Sequence, residues 1–159
     1  MTTITVRIAD YAAAAKHAML VTNGLGSCVG IALYDASASV GALAHILLPN
    51  VHLSVISSSP GKCASTAVPA MVRRMRELGA TGEIEARLIG GASMFAPQLP
   101  PRSISIGSRN VAAAHAACAA ANIPVVAEDV GGVHGRSVYF DVTEGDVVVR
   151  SMMRDDVRL

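Results

Sequence analysis

Two apolar runs joined by a short polar connection, residues 28–34 and 40–47, constrain this chain more than any other feature in it. Cys28-Val29-Gly30-Ile31-Ala32-Leu33-Tyr34 and Val40-Gly41-Ala42-Leu43-Ala44-His45-Ile46-Leu47 have the length and composition of strands, and the Asp- and Ser-containing connection suits a pair of neighbours. Paired in this way, they bring Cys28 and His45 together. A thiol beside an imidazole is the minimum equipment for cysteine nucleophilic catalysis, because the imidazole can hold the thiol as thiolate. The approach to the first run, Thr22-Asn23-Gly24-Leu25-Gly26-Ser27, adds a second signal. Two glycines let the backbone turn sharply and aim successive N–H groups in one direction, which is how an oxyanion nest is made. Gly26 and Ser27 are the expected support for that turn.

Each of these residues has a plainer explanation. A free cysteine is usually a small buried hydrophobe, but a merely packed one does not need the double-glycine approach. A lone histidine in an apolar strand is more often a satisfied core residue, and it is the pairing with Cys28 that raises His45. Thr22 is an ordinary strand-end threonine unless it accepts a hydrogen bond from the imidazole and so fixes its tautomer. His134, near Gly131-Gly132 and Arg136, is the rival histidine, and His115 in an alanine-rich segment is expected to face solvent. Gly90-Gly91 lacks the Lys-Ser/Thr of a phosphate loop. Glu128 and Asp129, adjacent in a strand, would point to opposite faces. Met94 and Phe95, in a chain with only two Phe and no Trp, suggest a contact surface. No histidine pair has helical metal-site spacing, so no metal is expected.

The remaining segments read as α/β with more strand than helix. Strands are expected at 3–8, 83–89, 123–127, 137–142 and 147–150, helices at 62–78 and 108–121, and 11–18 is left open between strand and helical turn. Gly79 sits where a helix C-terminal glycine belongs. Adjacent strand pairs imply mixed sheets. No linker or composition break divides the 159 residues, so one domain over 1–159 is expected. With 13 Lys+Arg against 12 Asp+Glu there is no electrostatic case for nucleic acid. The chain has no transmembrane run and no secretory signal, and three cysteines without framework spacing suit a reduced, cytoplasmic protein.

Taken together, these blocks resemble the CheD family of chemoreceptor glutamine deamidases. They are Thr22 with Gly24-Leu25-Gly26-Ser27-Cys28-Val29, His45 with Leu48-Pro49, Gly61-Lys62, Gly90-Gly91-Ala92-Ser93-Met94-Phe95, Ile106-Gly107 with Arg109-Asn110, and Ile123 to Gly132 with Gly135-Arg136. The resemblance implies a mixed β-sandwich flanked by helices, similar to deamidating toxins of the cytotoxic necrotizing factor type. It implies a catalytic cysteine at Cys28, histidine at His45 and third residue at Thr22, with no metal or organic cofactor. The implied reaction is conversion of glutamine to glutamate on the cytoplasmic helices of chemoreceptors. The implied partners are those receptors and the CheC phosphatase, and a purely regulatory CheC-binding module is the alternative. The chain departs from many relatives after Gly61-Lys62, with Cys63 and Ser65 where Tyr and Asp are common.

Overall fold

The computed structural model describes residues 1–50, 59–93, 105–152 and 154–159. Their strands form two five-stranded sheets. The first contains β1 (Thr2–Thr5), β3 (Ala18–Leu25), β8 (Arg136–Asp141), β9 (Asp146–Ser151) and β10 (Arg154–Arg158), in the order β1-β3-β8-β9-β10. The second contains β2 (Tyr11–Ala15), β4 (Val29–Asp35), β5 (Val40–Ile46), β6 (Glu85–Gly90) and β7 (Val125–Val130), in the order β2-β5-β4-β6-β7. Each sheet combines one parallel pair, β1 with β3 and β6 with β7, with antiparallel neighbours. The sheets are mixed, as the sequence predicts.

The pair at the centre of the sequence reading is the centre of the second sheet. β4 and β5 run antiparallel with Val29 opposite Ile46 and Gly30 opposite His45. Both are buried along their whole length, which explains why they read as unbroken apolar runs. Their two faces serve two cores. Val29, Ile31, Leu33, Ala42, Ala44 and Ile46 pack under the helices α1 (Ala64–Glu77) and α2 (Ile106–Ala120). Ala32, Tyr34 and Leu43 face the first sheet, among Leu20, Leu25, Val138 and Phe140. The layers are therefore helices, sheet, sheet, with both helices on one side. With aromatics scarce, Phe140 carries much of the inter-sheet core, and Gly41 makes room for it: a Cβ there would lie 2.7 Å from the ring.

Local chemistry sets the helix ends. Gly79, with φ +103°, ends α1 as expected, and the Gly79 and Ala80 N–H groups donate back to Arg76 and Met75. Ser105 caps α2 by accepting the Ser108 N–H at 3.1 Å. The open segment 11–18 resolves into β2 and the start of β3. β10 carries no strand signal in the sequence, because Arg154-Asp155-Asp156-Val157-Arg158 has too little apolar alternation. Such a charged strand suits the sheet edge it occupies. Among the described residues no helix is long and apolar enough to cross a membrane.

Candidate active site

The chain passes from the first sheet to the second between Leu25, the end of β3, and Val29, the start of β4. Gly24 prepares that passage with φ +71°, a conformation that costs a residue with a side chain roughly 1–2 kcal/mol. The segment is then held by its carbonyls. Gly24 O accepts the Gly26 N–H at 3.1 Å, Gly26 O the Ala92 N–H at 2.8 Å, and Cys28 O the Gly91 N–H at 2.8 Å. Ser27 O accepts Nδ2 of Asn110 at 3.0 Å. The N–H groups of Ser27 and Cys28 have no such partner among the described residues. Close glycine contacts make this packing possible. A Cβ on Gly90 would lie 2.5 Å from Cys28 O, and one on Gly107 would lie 2.4 Å from Ala92 O. The Gly90-Gly91 pair therefore seats the backbone of Cys28.

His45 is fully buried. Its backbone faces β2 and the turn before it, accepting the Ala9 N–H at 2.9 Å and donating to Asp10 O at 3.0 Å. The Gly30–His45 pair is thus the close, non-hydrogen-bonded kind. Cys28, two residues before Gly30, packs in the inter-sheet core to which the inward residues of β4 and β5 belong, and it is 8% exposed. That places the thiol on His45's side of the sheet, at the solvent edge, as a diagonal neighbour across the pair.

Thr22 comes from the other sheet. Its Oγ1 lies 2.7 Å from His45 Nδ1 and donates to Val6 O, also at 2.7 Å, and the threonine is fully buried. A hydroxyl has one proton, and Val6 O takes it. Oγ1 must therefore accept from the imidazole, which fixes the proton on Nδ1 and leaves Nε2 with a free lone pair. Nε2 is buried with no hydrogen-bond partner among the described residues. A hydrogen bond across the sandwich thus sets the tautomer that a general base for Cys28 requires.

Burial changes one expectation. It pushes the Cys28 thiol above its ordinary value and pulls His45 down to about 4. Burial thus favours an uncharged thiol and an uncharged imidazole at neutral pH over a preformed thiolate.

The other candidates fall elsewhere. His134 lies against Gly132 and Arg136, and the histidine that donates to Thr22 is His45. His115 is exposed and pairs with Glu128 at 2.7 Å. Asp129 turns the other way, to Arg136 and Arg154, so the adjacent acids do point to opposite faces. Cys63 is buried at the start of α1 and bridges Leu48, while Ser65 beside it is exposed. Met94 and Phe95 lie outside the described residues, as does His52. No three His, Cys, Asp or Glu side chains among the described residues group closely enough to hold a metal ion. Gly107 and Asn110 belong to a block that carries the family resemblance, but the sequence assigned them no role, and the Val6 carbonyl was not singled out. The signal for Asn110 was available: it is the one amide on the buried stripe Gly107, Asn110, Ala114, Ala117 and Cys118.

A two-sheet α/β sandwich that holds His45 against Thr22, with Cys28 in the same inter-sheet core where the chain crosses between sheets, presents a candidate thiol–imidazole site. The chain belongs to the CheD family: residues 47–151 match the family described as CheD chemotactic sensory transduction. It is 44% identical over 153 residues to a probable chemoreceptor glutamine deamidase CheD 2 of Geobacter metallireducens, covering 95% of this chain and 94% of the relative. The protein of the corresponding name from Haloarcula marismortui is 38% identical over 98% of this chain and 89% of its own. That from Clostridium kluyveri is 40% identical over 94% of this chain and 93% of its own.

Proposed function

We propose that this protein is a chemoreceptor glutamine deamidase in which Cys28 is the nucleophile, His45 the base and Thr22 the residue that orients the base. The observation that carries the reading is the bond between Thr22 and Nδ1 of His45, which leaves Nε2 as a lone-pair acceptor on the side of the sheet that holds Cys28. Nε2 takes the thiol proton as sulfur attacks the carboxamide carbon of glutamine, and the C–O double bond opens to an oxyanion. The imidazolium returns the proton to the departing nitrogen, ammonia leaves, and a thioester remains. Water, deprotonated by His45, adds to the thioester. Collapse releases glutamate and restores the thiol.

The substrate of this reading is a glutamine on the cytoplasmic helices of a chemoreceptor, and a site at the sandwich edge suits a side chain presented by a folded helix. Cytoplasmic location, pairing with the CheC phosphatase and likeness to the necrotizing factor toxins belong to the same proposal and rest on the family resemblance. The direct test is mass spectrometry of a receptor cytoplasmic fragment incubated with purified protein, with ammonia measured in parallel. Amide-to-acid conversion by the wild type, abolished in Cys28→Ala and His45→Ala, is expected. A wild type that leaves every glutamine intact, with and without CheC, would sink the reading in favour of a binding module.

A further inference from the structure

Asn110 is fully buried, and its amide reaches two backbone carbonyls that belong to the two halves of the site. Nδ2 donates to Ser27 O at 3.0 Å and to Leu47 O at 3.2 Å. Two acceptors facing one amide also fix its orientation, because only the NH2 end can serve both. Oδ1 is left buried without a partner among the described residues, an arrangement that fold stability alone does not favour. Gly107, one turn earlier, is what lets α2 come close enough, since its Cα packs against the Gly91 and Ala92 carbonyls.

The two peptide units differ in one respect. In the Leu47–Leu48 peptide the carbonyl is taken by Asn110 and the N–H by Lys62 O at 2.9 Å. In the Ser27–Cys28 peptide the carbonyl is taken by Asn110, and the N–H of Cys28 has no partner among the described residues. A trans peptide is planar with its C=O and N–H antiparallel. Anchoring Ser27 O on α2 therefore turns the Cys28 N–H to the opposite side, away from the helix. A donor bound to the carbonyl also polarises the peptide and strengthens its N–H.

We propose that Asn110 is a positioning residue for catalysis: by holding the Ser27 carbonyl it aims the Cys28 N–H as the oxyanion donor. Through Leu47 it fixes that peptide relative to the strand that carries His45. The inference rests on the deamidase reading, and it adds the source of transition-state stabilisation to it. Asn110 touches no reacting atom, so its effect should appear in turnover and not in thiol chemistry.

Asn110→Asp keeps the side-chain volume and removes the paired donors, and Asn110→Ala removes the group. Both are measured in the full chain for kcat and KM on the receptor fragment and for the rate of Cys28 alkylation by iodoacetamide, a displacement that forms no oxyanion. A kcat lower by about 10²-fold is expected, the size of losing one oxyanion donor. KM and the alkylation rate should stay within about 3-fold of wild type, as for an interaction made only in the transition state. Where Asn110→Ala does not fold by circular dichroism, the isosteric Asn110→Asp carries the test. Alkylation that falls in step with kcat would overturn the inference, because Asn110 would then be holding the thiol and imidazole themselves. An Asn110→Asp variant with wild-type kcat overturns this inference alone, whereas a wild type without turnover overturns the deamidase reading and this with it.

Discussion

At the residue scale, the site is a line from solvent inward: Cys28 at the edge, His45 and Thr22 fully buried, and the Val6 carbonyl behind them. The sequence could pair Cys28 with His45 because hairpin geometry follows from two apolar runs and a short connection. It could not show that both groups rest uncharged, since that depends on how deeply the sandwich covers them. The difference is measurable. With its pKa raised by burial, Cys28 should show alkylation that keeps climbing with pH through neutrality. A plateau already established at pH 6 would instead indicate a stable thiolate–imidazolium pair. Cys118, fully buried and pushed up to about 11, should remain unlabelled throughout. Thr22→Val keeps the shape but removes both hydrogen bonds of Oγ1, so the imidazole loses the acceptor that fixes its tautomer. Turnover should fall by about 10-fold or more, a part of the roughly 10²–10⁴-fold that a general base contributes, with the far-ultraviolet spectrum unchanged.

At the element scale, the strands that pack on two cores and the helices with a clear stripe were legible, because periodicity and end signals agreed. β10 was not, since its charged residues answer to an exposed edge. The role of α2 was also hidden. Its alanine-rich sequence announces a helix, but not that its first turn presses on the segment that seats Cys28. That contact gives a sign test. Gly→Ala inside a helix ordinarily stabilises by up to about 1 kcal/mol. In α2, a Cβ on Gly107 would lie 2.4 Å from Ala92 O and 2.5 Å from Gly91 O. Gly107→Ala should therefore destabilise, by about 1–3 kcal/mol in urea unfolding, and should lower turnover by lifting Asn110 from Ser27. A more stable Gly107→Ala protein would show that α2 does not bear on the site.

At the scale of the whole molecule, the two sheets are joined by polar contacts as well as by the core, and acid should undo these in sequence. At the site end is His45, pulled down by burial from 6.5 to about 4. The unfolded chain takes up that proton first, so stability is full above pH 6.5 and declines as pH falls toward about 4, by about 3 kcal/mol in all. The second contact is the Asp129 clasp. Asp129 in β7 receives Arg136 Nε at 3.2 Å and Arg154 Nη1 at 3.0 Å, both from the other sheet. Arg136 also donates to Gly131 O at 2.8 Å, tying down the loop whose Gly132 O accepts the Ser93 N–H. Burial alone would raise Asp129, but the Arg154 hydrogen bond and the two guanidinium charges outweigh it and hold the carboxyl below its ordinary value. Its stabilisation is therefore present above the usual carboxylate range and is lost as pH falls below it. Asp129→Asn leaves Arg136, whose side chain is 2% exposed, without its counter-charge, and should cost about 3 kcal/mol or more at pH 7. In that variant the decline between pH 6.5 and 4 should persist, because it belongs chiefly to His45 with a smaller part from His134, also pulled down by burial, while the further loss below pH 4 should shrink. His45→Gln should show the reverse pattern. Urea unfolding at a series of pH values reads both, and a wild type whose stability is flat from pH 7 to 4 would count against a buried neutral His45.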